Sequence, residues 1–231
     1  MGLKTLEEFY RDCSAQSLWL PTYPQWTHFR IFMGDRAKKI KNMIYSADHL
    51  LFELQRYNPG HVFYTPSKFM DPTKIGRKTS KVSQNLFLFA DTFIIDIDRE
   101  GDLTAAKEDT EHLLEYLQKM GWTQDYVCFS GSKGFHISLP FGFRSKSPDP
   151  VQRELDTQKI KTTLVAQLKQ DTGIVMDTIV SWDTRRIVRL PGTIHGKTGN
   201  LVEIVTPQEV RGYEPKHLVN VEKPEGVGDY I

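Results

Sequence analysis

The sequence predicts an α+β protein built around an antiparallel sheet. Three observations indicate this class: a strand-forming run over 87–97 that is rich in Phe and Ile, an amphipathic helical pattern over 104–120, and two apolar runs, 126–129 and 135–139, separated by the glycine-containing turn 130–134. Strands joined by so short a turn pair in antiparallel fashion. With 231 residues, the chain has room for one large domain or two small, closely packed ones.

The elements before this core follow from local signals. Thr5 and Glu8 have the spacing of a capping box, which predicts a first helix. Ser46 can cap a second helix that stops before Pro59. Short strands are predicted over 28–32, 39–45 and 61–64.

The elements after the core are also marked. Asp149 and Pro150 are typical of a helix start, and this helix is expected to reach about Gln170 and to close at Gly173. Extended segments are predicted over 174–180, 187–190 and 201–205, ahead of a loose tail that begins near Glu222.

The charge balance at first argues against a nucleic-acid-binding protein. Thirty Lys and Arg residues face 29 Asp and Glu residues, a net charge of +1, whereas a basic excess is the usual footprint of that class. The bases are nevertheless concentrated in 67–81 and 185–197. We interpret 67–83 as a flexible basic loop, either a solvated connector or a nucleic-acid contact that includes Lys74, Arg77 and Lys78.

The cysteines and the overall hydropathy indicate an intracellular, soluble protein with no membrane partner. Cys13 and Cys128 match no Cys-x-x-Cys pair and are too few for a structural zinc site, so no zinc is predicted. The N-terminus lacks a signal-peptide pattern, and no run approaches the roughly 20 apolar residues of a membrane span.

Two carboxylates lie at the end of the predicted strand 87–97. Asp96 and Asp98 are two positions apart, so in a strand they project from the same face. Mg²⁺ favours one or two carboxylates together with substrate phosphates, and a pair of metal ions is a common device for in-line displacement at phosphorus. An Asp-x-Asp pair alone is weak evidence, because a strand end is also an ordinary place for solvated acids.

The turn that follows offers groups for an anion. Gly131 and Gly134 let backbone amides approach a phosphate closely, Ser130 and His136 can donate hydrogen bonds, and Lys133 adds a positive charge. A plain hairpin turn with a core histidine is the alternative. The spacing excludes a Walker-type P-loop, since a strand follows the turn and not a helix.

A third segment combines an acid with a dense cationic set. Asp177 lies among apolar neighbours, so we expect a buried strand to hold it, and a carboxylate there needs a metal or an arginine as partner. Asp183 competes for the same role, and only one of two consecutive arginines is expected to point inward. The cations could neutralise a triphosphate as its charge shifts to pyrophosphate; they are Arg186, Arg189, His195 and Lys197. A surface loop of ion pairs is the alternative.

These three segments, in this order, resemble the archaeo-eukaryotic primase superfamily, and most closely the catalytic small subunits of archaeal-type DNA primases. The resemblance rests on Asp96-Ile97-Asp98, on the Ser-Gly-x-x-Gly-x-His pattern of 130–136, and on Asp177 with the Arg-Leu-Pro-x-x-x-His-Gly-x-x-Gly stretch of 189–199. It covers about 90–200. It implies an RRM-like antiparallel sheet with helices packed on it, joined to an N-terminal α/β module, with the active cleft between them.

The resemblance also implies roles. Asp96, Asp98 and Asp177 would bind two divalent cations, Mg²⁺ or Mn²⁺, for templated synthesis of RNA or DNA from NTPs or dNTPs. The phosphates would lie against the turn and the cationic set; those residues are Ser130, Gly131, Lys133, Gly134, His136, Arg186, Arg189, His195 and Lys197. Arg30 is a weaker candidate for contact with nucleotide or nucleic acid.

Partners implied by the resemblance are a single-stranded DNA template and a primer strand, with a large accessory primase subunit, a helicase or another replication, repair or defence protein as candidates. We predict one catalytic domain over 1–231, made of an N-terminal module (1–89), a catalytic module (90–210) and a tail (211–231). The zinc knuckle that many relatives insert after the Asp-x-Asp strand is missing. Two alternatives stay open: a gap-filling polymerase domain of the end-joining type and a non-catalytic RRM-like binding module.

Overall fold

The computed structural model describes residues 2–75 and 85–221. Within these residues the helices are α1 (Leu6–Asp12), α2 (Ala47–Tyr57), α3 (Leu103–Lys119), α4 (Pro150–Thr172) and α5 (Thr178–Trp182). The strands are β1 (Thr27–Met33), β2 (Arg36–Lys39), β3 (His61–Phe69), β4 (Phe87–Ala90), β5 (Thr92–Asp98), β6 (Tyr126–Phe129), β7 (Gly134–Pro140), β8 (Val188–Arg189) and β9 (Glu203–Val205). No helix of the described ranges is both long and apolar enough to cross a membrane.

The strands form two antiparallel sheets. The N-terminal sheet has the order β2-β1-β3-β4, and β8 pairs with β3 beside them. The second sheet has the order β5-β7-β6-β9. The predicted α+β class with antiparallel sheets and packed helices is confirmed.

Two apolar cores hold these layers together. One lies between the second sheet and helices α3 and α4, and includes Phe93, Ile95 and Ile97 from β5. The other lies between the N-terminal sheet and helices α1 and α2, and it also takes in Ile94 of the second sheet. Alternate residues of β5 therefore face different cores, and the face that bears Ile94 also bears Asp96 and Asp98.

Several local predictions are confirmed. Thr5 and Glu8 form the capping box of α1, and the Ser46 hydroxyl accepts a hydrogen bond from the His49 amide at the start of α2. The Asp149 carboxylate caps α4, and Gly173 ends this helix with φ of 67°. The strand signal of 87–97 becomes two strands, β4 and β5, with Asp91 between them.

Other local predictions are wrong. In place of the strand predicted over 39–45, the structure has β2, which covers Arg36–Lys39 and is the short return strand of a hairpin with β1. The strand predicted over 61–64 continues to Phe69. The extended segment predicted over 174–180 contains the start of α5, and Val175 and Ile179 are about half exposed. Within this short helix Val180 is buried and Ile179 is exposed, so the apolar residues do not mark the two faces of a strand.

The chain crosses between the predicted modules. β8 comes from the 90–210 segment, yet it joins the N-terminal sheet, where Arg189 lies opposite Phe63 and Val188 opposite Tyr64. The predicted module boundaries remain predictions. This crossing brings the cationic 185–197 segment to the side of β3.

Candidate active site

The site is built on the end of β5. Asp96 lies opposite His136 of β7, and His136 lies opposite Cys128 of β6, so these side chains share one face of the second sheet. The His136 Nε2 atom is 3.5 Å from Asp96 Oδ1. Asp98, two residues on, lies opposite Gly134, which leaves its carboxylate at the mouth of the 130–133 turn. Strand alternation thus gives the shared face that the sequence predicts for the two acids.

Asp177 reaches this pair from a helix, so the prediction that a buried strand holds it is wrong. Its Oδ1 atom caps α5 by accepting from the amides of Ile179 and Val180, at 2.8 and 3.3 Å. Its backbone amide donates to the carbonyl of Asp96 at 2.9 Å, which fixes the start of α5 against the free edge of β5. The other oxygen, Oδ2, is 3.8 Å from Arg186 Nη2.

The three carboxylates repel one another. Burial raises the pKa of Asp96 to about 7, helped by the negative charges of Asp98 and Asp177 and opposed by Arg186 and Arg189. The Asp96 side chain is 18% exposed, whereas those of Asp98 and Asp177 are 43% and 37% exposed. The site therefore holds one nearly buried acid and two accessible ones, a charge arrangement that a cation would relieve.

Asp183 does not join this group. Its carboxylate accepts a hydrogen bond from the Arg185 amide at 3.0 Å, and Arg185 Nε lies 3.9 Å away. The two arginines lie in the turn after α5, not on an extended segment, and it is Arg186 that turns toward Asp177. The geometry thus brings Asp177, and not Asp183, beside Asp96.

The 130–133 turn is held against the loop that follows β8. The Gly131 carbonyl accepts from Thr198 Oγ1 at 2.6 Å and from Asn200 Nδ2 at 3.2 Å. Gly131 has φ of 90°, and a β-carbon on it would lie 2.5 Å from the Cβ atom of His195. Only glycine fits so close an approach.

The turn is closed by its own backbone, and Lys133 is the member shown beside an acid. The Ser130 amide donates to the Gly134 carbonyl at 2.9 Å, which closes the turn. A β-carbon on Gly134 would lie 2.0 Å from the Ile97 carbonyl, so β5 and β7 pack closely at this point. The Lys133 ammonium lies 3.7 Å from Asp98 Oδ2 and is 42% exposed.

Behind the acids lies a buried group of neutral histidines around one arginine. Arg189 Nη1 donates to His61 Nδ1 at 2.8 Å, and the Gly196 amide donates to the same nitrogen at 3.1 Å. The rings of His61 and His195 meet edge to face at 5.1 Å. Burial and the Arg189 charge lower the pKa of His61 to about 3, of His195 to about 2 and of His136 to about 4. All three rings are therefore uncharged near neutral pH.

Arg189 is the main buried positive charge of the site. Burial lowers its pKa to about 10, while Asp96 and Asp98 act in the opposite direction. It thus stays charged at neutral pH, between the acids and the histidines. Lys197 also adds positive charge near His61 and His195.

The predicted nucleic-acid contacts are only partly described. Lys74 is exposed and pairs with Asp71 at 3.0 Å. Arg30 lies in β1, opposite Lys39 on one side and Phe63 on the other. Arg77 and Lys78 lie outside the described residues.

The three carboxylates offer only oxygen ligands to a divalent cation. Among residues 2–75 and 85–221, no three His, Cys, Asp or Glu side chains are arranged to hold one ion by themselves. Mg²⁺, however, takes one or two carboxylates and completes its shell with substrate phosphates and water. Asp96 and Asp98 on one strand face, with Asp177 against them and a raised pKa on the buried member, fit such an incomplete, oxygen-only site.

Sequence reasoning missed three residues of this region. His61 binds Arg189 directly, and Phe63 lies under the guanidinium, whose Cζ is 4.9 Å from the ring centroid. Their alternation in 61–64 predicts a shared face, but nothing local indicates that β8 pairs with this strand. Thr198 was also missed as the residue that ties the two loops together.

Comparison with known proteins gives related names and a shared fold. No family model matches the chain. The DNA primase small subunit PriS of Pyrobaculum calidifontis is 25% identical over 241 residues, covering 83% of this chain and 73% of that protein. PriS of Thermoplasma acidophilum is 30% identical over 69 residues, covering 30% of this chain and 20% of that protein.

A solved structure extends the comparison to three dimensions. The polymerase domain of Mycobacterium tuberculosis ligase D, in complex with DNA, matches with a TM-score of 0.52 at 14% identity. The match covers 86% of this chain and 70% of that one. At this identity the likeness shows the fold alone.

Proposed function

Since this chain belongs to the archaeo-eukaryotic primase superfamily, we propose that it is a template-dependent nucleotidyltransferase that makes or extends RNA or DNA primers. The observation that supports this most directly is the meeting of three carboxylates with a cationic pocket. Asp96 interacts with the negative charges of Asp98 and Asp177 and with the positive charges of Arg186 and Arg189. A site that bears both charges suits a polyphosphate that arrives with divalent cations.

The acids would hold two ions, Mg²⁺ or Mn²⁺. When bound, such ions stabilise the attacking and leaving oxygens of an in-line displacement at phosphorus. Asp96 and Asp98 would bind from the strand face, and Asp177 from the start of α5. The cap of α5 fixes Asp177 Oδ1, so Oδ2 is the oxygen directed to the ligand side, beside Arg186.

The chain's own residues would position the nucleotide. Lys133, half-exposed at the turn, would exchange its contact with Asp98 for a phosphate oxygen. His136, uncharged at neutral pH, would contact the nucleotide from beside Asp96, whose Oδ1 atom is 3.5 Å from its Nε2 atom. Arg189 would neutralise the charge that develops on the leaving pyrophosphate, since its guanidinium is already fixed by His61.

The test is extension of a templated primer with labelled NTPs and dNTPs in Mg²⁺ or Mn²⁺. Asp96→Asn and Asp98→Asn keep the side-chain shape and remove the charge, and each is expected to reduce extension at least 100-fold, as removal of a major electrostatic contribution does. Asp48→Asn, an exposed acid in the first turn of α2, is the matched control and should behave as wild type. Full activity of the Asp96 and Asp98 variants would overturn the assignment of these acids.

The fold shared with the ligase D polymerase domain favours a second candidate, gap filling in end joining. The two functions differ in substrate: one initiates from two nucleotides on a single strand, and the other fills a short gap whose downstream end bears a 5′-phosphate. Assaying both substrates with the same enzyme preparation separates them. If the folded wild type performs neither reaction with either metal, a non-catalytic RRM-like binding module becomes the better interpretation.

A further inference from the structure

One face of the N-terminal sheet bears a row of cationic and aromatic side chains that runs across four strands. Lys39 of β2 lies opposite Arg30 of β1, Arg30 opposite Phe63 of β3, and Phe63 opposite Arg189 of β8. Directly opposed residues share a face of a sheet. We call Lys39, Arg30, Phe63 and Arg189 the cross-strand row.

This face is the one turned away from the helices. The neighbouring positions Ile31, Val62 and Val188 point the other way, into the core with α1 and α2. The members of the row are half-buried, and the Lys39 ammonium, which donates to the Thr73 carbonyl at 3.3 Å, would exchange that contact for a phosphate. Phe32, on the same face, packs edge to face on Phe63 with ring centroids 5.4 Å apart, so the aromatic surface is wider than one ring.

The row begins at the acidic centre and leads away from it. Arg189 interacts with Asp96 and Asp98 at one end. Three inter-strand spacings separate it from Lys39, a span of about 14 Å. At the far end the β1–β2 hairpin continues the positive charge, since 30–41 contains five basic residues and one acid.

We propose that the cross-strand row is a track for a single-stranded nucleic acid, with a base stacked on Phe63 and backbone phosphates on Arg30 and Lys39. This inference rests on the proposed function and adds the path of the strand. Aromatic faces flanked by cations are the usual surface for single strands, because every base has a π face and every linkage a charge. A single nucleotide whose phosphates lie at Lys133 and Arg189 would not use the hairpin end, where the charge continues.

The test measures binding apart from catalysis. Fluorescence anisotropy of a labelled oligothymidylate is recorded in EDTA over a range of salt concentrations, for the wild type, Phe63→Leu, Arg30→Gln and Lys39→Gln. Two variants outside the row serve as matched controls: Phe52→Leu, at a ring that is 63% exposed on α2, and Lys119→Gln, at the exposed end of α3. Thermal unfolding of each variant verifies that it is folded.

Phe63→Leu is expected to weaken binding at least about 5-fold through loss of stacking. Arg30→Gln and Lys39→Gln should each reduce the slope of log K against log salt by about 0.7, the value for one phosphate contact on a single strand. The controls should match the wild type. The KM for the incoming nucleotide should stay the same in Arg30→Gln and Lys39→Gln. Phe63→Leu is compared by oligonucleotide binding alone, because Phe63 also contacts Arg189.

The outcomes separate this inference from the proposed function. If the row variants bind the oligonucleotide as the wild type does while the wild type extends primers, the track is wrong and the proposed function stands. If Arg30→Gln and Lys39→Gln raise the nucleotide KM and leave oligonucleotide binding unchanged, the row belongs to the nucleotide pocket and the inference is overturned. A wild type that neither binds the oligonucleotide nor extends a primer contradicts both.

Discussion

Replacing Gly131 with alanine tests whether the contact between the two loops holds the pocket together. A β-carbon at this position would lie 2.5 Å from His195 Cβ and 3.2 Å from Val202 Cγ2. The backbone φ of 90° adds strain of about 1 to 3 kcal/mol for any residue with a side chain. Overpacking a closed contact adds about the same amount.

The expected loss of stability is therefore about 2 to 6 kcal/mol. In a chain of this size, at about 3 °C per kcal/mol, it corresponds to a fall in Tm of about 6 to 18 °C. The strain can be relieved only by moving the 130–133 turn from His195, which breaks the bonds of Thr198 and Asn200 to the Gly131 carbonyl. The nucleotide KM should rise along with the loss of stability.

The assay pairs thermal unfolding with primer extension. Gly142→Ala is the control, because a β-carbon there meets nothing within 4 Å and its φ is not in the positive region. If Gly131→Ala has the same Tm as Gly142→Ala and keeps the wild-type KM, the contact between Gly131 and His195 is not rigid. The prediction that this contact holds the pocket together is then refuted.

Three further predictions concern the site residues Asp96 and Arg189 and the buried His28 of β1. Because the pKa of Asp96 is raised to about 7, kcat/KM for primer extension should fall up to tenfold per pH unit below pH 7. A higher Mn²⁺ concentration should move the midpoint of this pH profile to lower pH, since the metal competes with the proton. A midpoint that does not change with Mn²⁺ would argue against Asp96 as a metal ligand. Burial lowers the pKa of His28 to about 4, so the stability contributed by its uncharged ring is present above pH 6.5 and is lost as the pH falls toward 4. The free energy of unfolding in urea should fall by about 2 kcal/mol between pH 7 and pH 5. This pH dependence should be absent in His28→Gln. Arg189→Lys keeps the positive charge but loses the hydrogen bond to His61 and the planar contact with Phe63. The nucleotide KM should therefore rise about tenfold. A KM within twofold of wild type would contradict the role of Arg189 in the nucleotide pocket.

The parts of the site that could be predicted are those fixed by local periodicity. Asp96 and Asp98 share a face because side chains in a strand alternate, whatever the rest of the chain does. Gly131 and Gly134 are predicted to let backbone amides approach an anion, which stays a prediction; in the structure they allow close approach of His195 and of the Ile97 carbonyl. Strand, turn and cap signals act over a few residues, which the sequence displays directly.

The parts that could not be predicted depend on distant pairing. Asp177 was assigned to a strand because apolar residues surround it, yet an aspartate ahead of a short apolar run also fits a helix cap, and tertiary contact with the Asp96 carbonyl decides between them. His61 and Phe63 become neighbours of Arg189 only through the pairing of β3 with β8. No short-range pattern specifies that pairing.

The pairing of β3 with β8 also governs when the site can form during synthesis. Phe63 and Arg189 lie opposite one another although most of the chain separates them. Contacts of such long sequence separation form slowly, and a growing chain cannot make them before the later partner has been synthesised. A ribosome-bound chain that stops short of β8 could already contain β1 to β7, with Asp96 and Asp98 in place. It would have neither Arg189 nor the loop that holds Gly131, and thus an acidic centre with no phosphate pocket.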